Sequence, residues 1–132
     1  MKGLEQARHF LMMAEKDGRA LRGMEDGEVF SAEIFGFHVQ QAVEKVLKAW
    51  LCALDVSFPR THDLEELGAL LEEAGREVPE FVAELLEFTD FAVAFRYEAF
   101  SDLDADIDRR DCIERVDRLL QHVRAIVAGG DP

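Results

Sequence analysis

Apolar residues recur along this chain at the three- and four-residue steps of an α-helix, interrupted by short polar or Gly- and Pro-containing segments. Leu4, Ala7, Leu11, Ala14 and Leu21 predict a first amphipathic helix over residues 4 to 24, with Gly18 as a weak point inside it. Glu25-Asp26-Gly27 interrupts it, and Ser31 stands where an N-cap is needed for a second helix running to about Leu54. This second helix is the longest and most apolar, with a seam of Phe35, Val39, Ala42, Val46, Ala49 and Ala53. Asp63-Leu64-Glu65-Glu66 has capping-box spacing and opens a third helix, whose apolar face is Leu64, Leu67, Leu70 and Leu71 and whose stop is Gly75. Pro79 suits the first turn of a fourth helix with a stripe of Phe81, Val82, Leu85, Leu86, Phe88 and Ala92, thickened by Phe91, Phe95 and Phe100. The acidic stretch 101–108 favours the N-terminus of a fifth helix, carried by Ile113, Val116, Leu119, Leu120, Val123 and Val127 and ended by Gly129-Gly130. There is no period-two alternation of strand length, no internal repeat and no low-complexity segment. The expected fold is all-α: a five-helix up-and-down bundle forming one domain over residues 1–132.

The second helix has a polar face as well as an apolar one. His38, Gln41, Lys45 and Lys48 follow at steps of three, four and three, so they form a single stripe beside the seam. The helix then breaks into Phe58-Pro59-Arg60-Thr61-His62-Asp63, which adds Arg60 and His62 next to the start of the third helix. Two readings fit these residues. Lys and Gln on a solvated flank, a turn held by Arg60 and His62, and Asp63 as a cap are ordinary helical chemistry. Alternatively, the stripe lines a cleft with Arg60 and His62, where guanidinium, imidazole and amide donors suit a phosphate and a base edge.

Composition narrows what such a cleft can do. With 132 residues the chain is long enough to bury a core unaided, and 48% hydrophobic against 33% charged residues argues against disorder. The formal charge of −13, from 15 Lys and Arg against 28 Asp and Glu, excludes a broad nucleic-acid-binding surface, so any such contact is confined to a local cationic patch. The first residues, MKGLEQARHF, lack a signal-peptide pattern, and no apolar run reaches the ~20 residues of a membrane helix, which points to the cytoplasm. Cys52 and Cys112 sit in helical patterns without zinc-type spacing, so both read as buried free thiols with no chemical role.

The His-x-Gln-Gln-Ala-x-Glu-Lys-x-Leu-Lys run at 38–48, the Pro-Arg-Thr-His-Asp-Leu turn at 59–64 and Phe-Arg-Tyr at 95–97, in that order, resemble the HEPN family. The resemblance covers roughly residues 4 to 127 and is nearest to the small stand-alone members. It implies a helical bundle with a four-helix core, a homodimer, and a partner protein, a minimal nucleotidyltransferase, often in a toxin-antitoxin system. It also implies that Arg96 and Tyr97 join His38, Gln41, Lys45, Lys48, Arg60 and His62 around a nucleotide or RNA phosphate, with no cofactor and no metal. Tyr97, the only tyrosine, is the residue a transferase partner would nucleotidylate. The chain departs from the family pattern at Glu98, where relatives carry Pro after Arg-Tyr.

Ribonuclease members carry Arg, four to six residues, then His, near the start of the last helix. Arg96 has no such His, because Ser101, Asp102 and Leu103 stand at the three positions. Arg115 and His122 satisfy the spacing deep in the fifth helix, about 10.5 Å apart along its axis. A metal-independent ribonuclease using that pair across a dimer seam is therefore the alternative reading, and a purely structural interaction module is the third. Nucleophile motifs, a P-loop and the Glu-x-x-His pairs of a bundle metal site are absent, so the expectation leans away from an enzyme.

Overall fold

The computed structural model describes residues 2–88 and 107–129. Within them lie α1 (Lys2–Arg22), α2 (Ala32–Ala53), α3 (Leu64–Glu73), two short 3-10 turns (Glu80–Val82 and Leu85–Phe88) and α4 (Arg109–Val127). The architecture is the all-α bundle that the sequence pattern predicts. Its helix starts are the expected ones: Ser31 Oγ accepts from the Ile34 amide, and the Asp63 carboxylate accepts from the amides of Glu65 and Glu66. Asp108 caps α4 in the same way through the Asp111 amide, and Gly75, at φ 82°, ends α3.

Cross-helix contacts set the directions. Asp17 in α1 meets His38 and Lys45 in α2, while Gly3 lies against Cys52 and Asp55, so α1 and α2 are antiparallel. Arg22 pairs with Asp117 and Glu15 with Arg124, so α4 is antiparallel to α1 as well. It therefore runs alongside α2 in the same direction, with Arg109 over the Phe35 ring and His122 against Trp50.

Helix α2 is the centre of the bundle. Of its 22 residues, 14 are buried, which one amphipathic seam alone cannot produce. The expected seam is there, with Phe35, Val39, Ala42, Val46 and Ala49 all fully buried; Val43, Leu47, Trp50 and Leu51 form a second apolar face. A helix covered on both sides in this way is held by its neighbours rather than by intrinsic propensity.

Two sequence expectations change in the folded chain. Gly18 is a packing position rather than a weak point: a Cβ there would stand 3.0 Å from Leu120 Cδ1, so the missing side chain lets α1 and α4 approach. After Pro79 the chain forms 3-10 turns where an α-helix was expected. Val82 ends the first turn and Leu85 opens the second, and both are fully buried. Arg115 fixes this arrangement by donating to the Phe81 carbonyl at 2.9 Å. Phe91, Ala92, Phe95, Phe100, the acidic stretch 101–106 and Gly130 lie outside the described residues.

Both cysteines are free; Cys52 is buried and Cys112 half-buried. Burial, followed by the charge of Asp111, pushes the Cys112 thiol up to about 11, and burial with Asp55 raises Cys52. At pH 8 Cys112 then holds roughly a hundredfold less thiolate than a free cysteine. Ellman's reagent is accordingly expected to label the native protein far more slowly than the urea-unfolded chain, and equal rates would contradict the burial. Close packing at the foot of α1 gives a second expectation. A Cβ on Gly3 would lie 2.3 Å from Asp55 Oδ1 and 2.6 Å from the Cys52 carbonyl. Gly3→Ala should cost about 1–3 kcal/mol in urea unfolding.

Candidate functional site

Two polar side chains are buried in α2, Gln40 at 0% and Glu44 at 5% exposure. They stand one helical turn apart, with Lys48 one turn further, so all three share a line that faces the segment between α2 and α3. Buried polar groups need partners, and these have them. Gln40 Nε2 donates to Glu44 Oε1 at 2.9 Å and to the His62 carbonyl at 3.0 Å. Gln41 Nε2 donates to Gln40 Oε1 at 2.7 Å, and Lys48 Nζ donates to Glu44 Oε2 at 3.0 Å. His62 Nδ1 lies 2.7 Å from Glu44 Oε1.

Burial works to raise the Glu44 pKa, but the hydrogen bonds from Gln40, His62 and Lys48 and the Lys48 charge outweigh it. The carboxyl is held below its ordinary value. Glu44 is thus an ionised acceptor, and His62 meets it with a protonated Nδ1 while the side chain stays 56% exposed. The imidazole is fixed on one edge and open to solvent on the rest.

The expected stripe of His38, Gln41, Lys45 and Lys48 divides between two carboxylates. Lys45 Nζ bonds Asp17 Oδ2 at 2.6 Å, and His38 Nδ1 stands 3.7 Å from Asp17 Oδ1, buried and without a hydrogen bond. Lys48 and, through Gln40, Gln41 belong to the Glu44 group together with His62. Arg60 is exposed on the same connection, two residues before His62, with no hydrogen bond or ion pair to any described residue. Lys48 also lies over the Phe58 ring, 5.7 Å from its centre. Arg96 and Tyr97 lie outside the described residues.

Within one chain Arg115 and His122 make separate contacts. Arg115 bonds Asp111 at 2.7 Å and the Phe81 carbonyl, and reaches Glu84 at 3.7 Å, which ties α4 to the 3-10 turns. His122 packs edge-on against Trp50 at 5.0 Å between ring centres. Among the described residues no group of three or more His, Cys, Asp or Glu is arranged to hold a metal ion.

Gln40 and Glu44 are the residues that the stripe argument passes over. Their signal was present: two polar residues four apart, flanked by Val39, Val43 and Leu47 on a helix apolar on two sides.

A family model described as the HEPN domain matches residues 2–126 of the chain. The protein belongs to the HEPN family. At the family level this makes it a nucleotide- or RNA-related helical module. No curated protein and no solved structure matches the chain. Of the three segments that carry the sequence resemblance of this HEPN protein, 38–48 and 59–64 meet at Glu44 and His62, and 95–97 lies outside the described residues.

Because the folded-state pKa of Glu44 lies below its unfolded value near 4.5, its contribution to stability is present above that value. That contribution is lost as pH falls through the folded pKa. Glu44→Gln should cost about 1–3 kcal/mol at pH 7 by urea unfolding. The gap between variant and wild type should narrow as pH falls below the unfolded value; a gap that stays constant with pH would contradict an ionised Glu44.

Proposed function

We propose that this HEPN protein is a single module that binds a nucleotide or an RNA phosphate and acts with a minimal nucleotidyltransferase partner, as a homodimer in the cytoplasm and within a toxin-antitoxin pair. The observation that carries the ligand part is the exposed Arg60, which has no ion pair among the described residues and lies two residues from the anchored His62 imidazole. A guanidinium with no partner among the described residues suits a bidentate contact to phosphate. The His62 imidazole lies two residues further along the same connection. The net charge of −13 repels long polyanions elsewhere on the surface, so the ligand is one that presents phosphate locally. The partner transferase supplies the chemistry in this reading, because no described cluster forms a catalytic constellation of its own.

A second reading, an interaction module with no small ligand, draws on the fact that Gln40, Lys48 and His62 already satisfy Glu44. The ribonuclease alternative is weaker, since the Arg115 guanidinium is engaged by Asp111, Glu84 and a backbone carbonyl. Calorimetric titration with AMP and with a short RNA separates these readings. Wild type is expected to bind, with affinity falling as salt rises, and Arg60→Ala should weaken binding about tenfold or more. Equal binding by wild type and Arg60→Ala would remove the proposed phosphate contact.

A further inference from the structure

Between α3 and the two 3-10 turns lies a groove of about 200 Å³, none of whose lining residues belongs to the Glu44 network. Its floor is apolar. Gly68 is buried, and a Cβ there would stand 3.4 Å from Leu86 Cδ1, so glycine backbone and the Leu86 side chain close the bottom. Ala69 lines the groove from α3, and Val78, Pro79 and Ala83 line it from the chain that follows; these short side chains leave the space between the elements unfilled. The rim carries charge of one sign. Glu65 and Glu72 are seven residues apart on α3, so they share a face about 10.5 Å apart along the axis, with Gly68 and Ala69 between them. Glu80 adds a third carboxylate from the first 3-10 turn. All three residues are exposed, and no Lys or Arg lines the groove; Arg76, the one cation of the connection 74–79, is not part of the lining. Like charges around one opening repel. The packing of α3 does not require them, since it is carried by Leu64, Leu67 and Leu71 on the buried face.

We propose that this groove is a docking site for a basic segment of a partner protein, which inserts one arginine side chain between α3 and the 3-10 turns. Volume and charge select that occupant. About 200 Å³ is below the roughly 300–1,000 Å³ of small-molecule sites, and it suits one long side chain rather than a cofactor. An apolar floor under a charged rim matches an amphipathic side chain, whose methylene stem covers Leu86, Val78 and Pro79 while its head stays at the carboxylates. The guanidinium is the better head, because its five donors in a planar fork serve more than one carboxylate at once and a bidentate pair fixes its orientation. Binding relieves the mutual repulsion of Glu65, Glu72 and Glu80, so the acidity of the rim becomes favourable only in the complex. The formal charge of −13 steers a basic segment toward the chain, and the groove gives that attraction a fixed address. No lining residue lies in the connection between α2 and α3, so this site is independent of the phosphate-binding reading at Arg60.

An NMR titration of the whole protein with a capped pentapeptide, one arginine flanked by alanines, tests the assignment through the backbone amide shifts. The same peptide with citrulline in place of arginine keeps the shape and removes the charge. Shifts are expected to centre on residues 65–72 and 78–86, with the citrulline peptide binding about tenfold more weakly. Glu72→Gln removes one rim charge at constant size, and Ala69→Leu fills the groove from an exposed helical position without touching a charge. Each should weaken the arginine peptide about fivefold or more, while Glu73→Gln, an equal charge change at the exposed neighbour outside the groove, should change it less than about twofold. Thermal melting checks that each variant is folded. Equal weakening by Glu73→Gln and Glu72→Gln, or full binding by Ala69→Leu, would mean diffuse attraction to an acidic surface and overturns the groove. Shifts centred elsewhere, equal binding of the citrulline peptide, or no binding at millimolar peptide overturn it as well.

Discussion

An ionised carboxylate inside the central helix is the constraint on which the arrangement of this molecule turns. Removing a charge from water costs several kcal/mol unless other groups replace its hydration, and Glu44 is nearly fully buried. Three donors from two parts of the chain do so: Gln40 and Lys48 from α2, and His62 from beyond the turn. Because one of them lies 18 residues away, satisfying the charge fixes the segment between α2 and α3 against the bundle. The Gln40 amide adds a second tie by reaching the His62 carbonyl. Arg60 and Phe58 owe their positions to that attachment.

The remaining interhelical polar contacts are of another kind. Arg22 with Asp117, Arg110 with Glu25 and Arg124 with Glu15 are exposed pairs, whose attraction water and salt screen. They set the register of α4 against α1 and the connection after it without supplying much stability. The helices are held together by apolar burial around α2 and by close approach at Gly3 and Gly18. The less exposed pair of Lys45 with Asp17 joins α1 to α2 across the polar flank.

Charge distribution then shapes what the protein accepts. The chain carries a formal charge of −13, while the connection after α2 holds Arg60, without an ion pair among the described residues, and the half-open His62 imidazole two residues on. Among the described residues, no helix is long and apolar enough to cross a membrane.

The helices, their caps and the HEPN resemblance were legible in the sequence, because each is local. Ser31 and Asp63 cap through amides two or three residues away, and the seam from Phe35 to Ala49 follows from helical period alone. The site was legible only in part. Sequence spacing shows that His38, Gln41, Lys45 and Lys48 share a face, but it cannot show that Asp17 claims two of them and Glu44 another. Nor can it distinguish a polar residue on the solvated side from one such as Gln40 that is buried because α2 is covered on both faces. The 3-10 turns after Pro79 were hidden for the same reason, since the apolar pattern there fits an α-helix until packing against α2, α3 and α4 selects the three-residue period. Local chemistry therefore determined which elements form and where they stop. Which charges meet was decided by long-range packing, because those partners lie far apart in the chain and become neighbours only on folding.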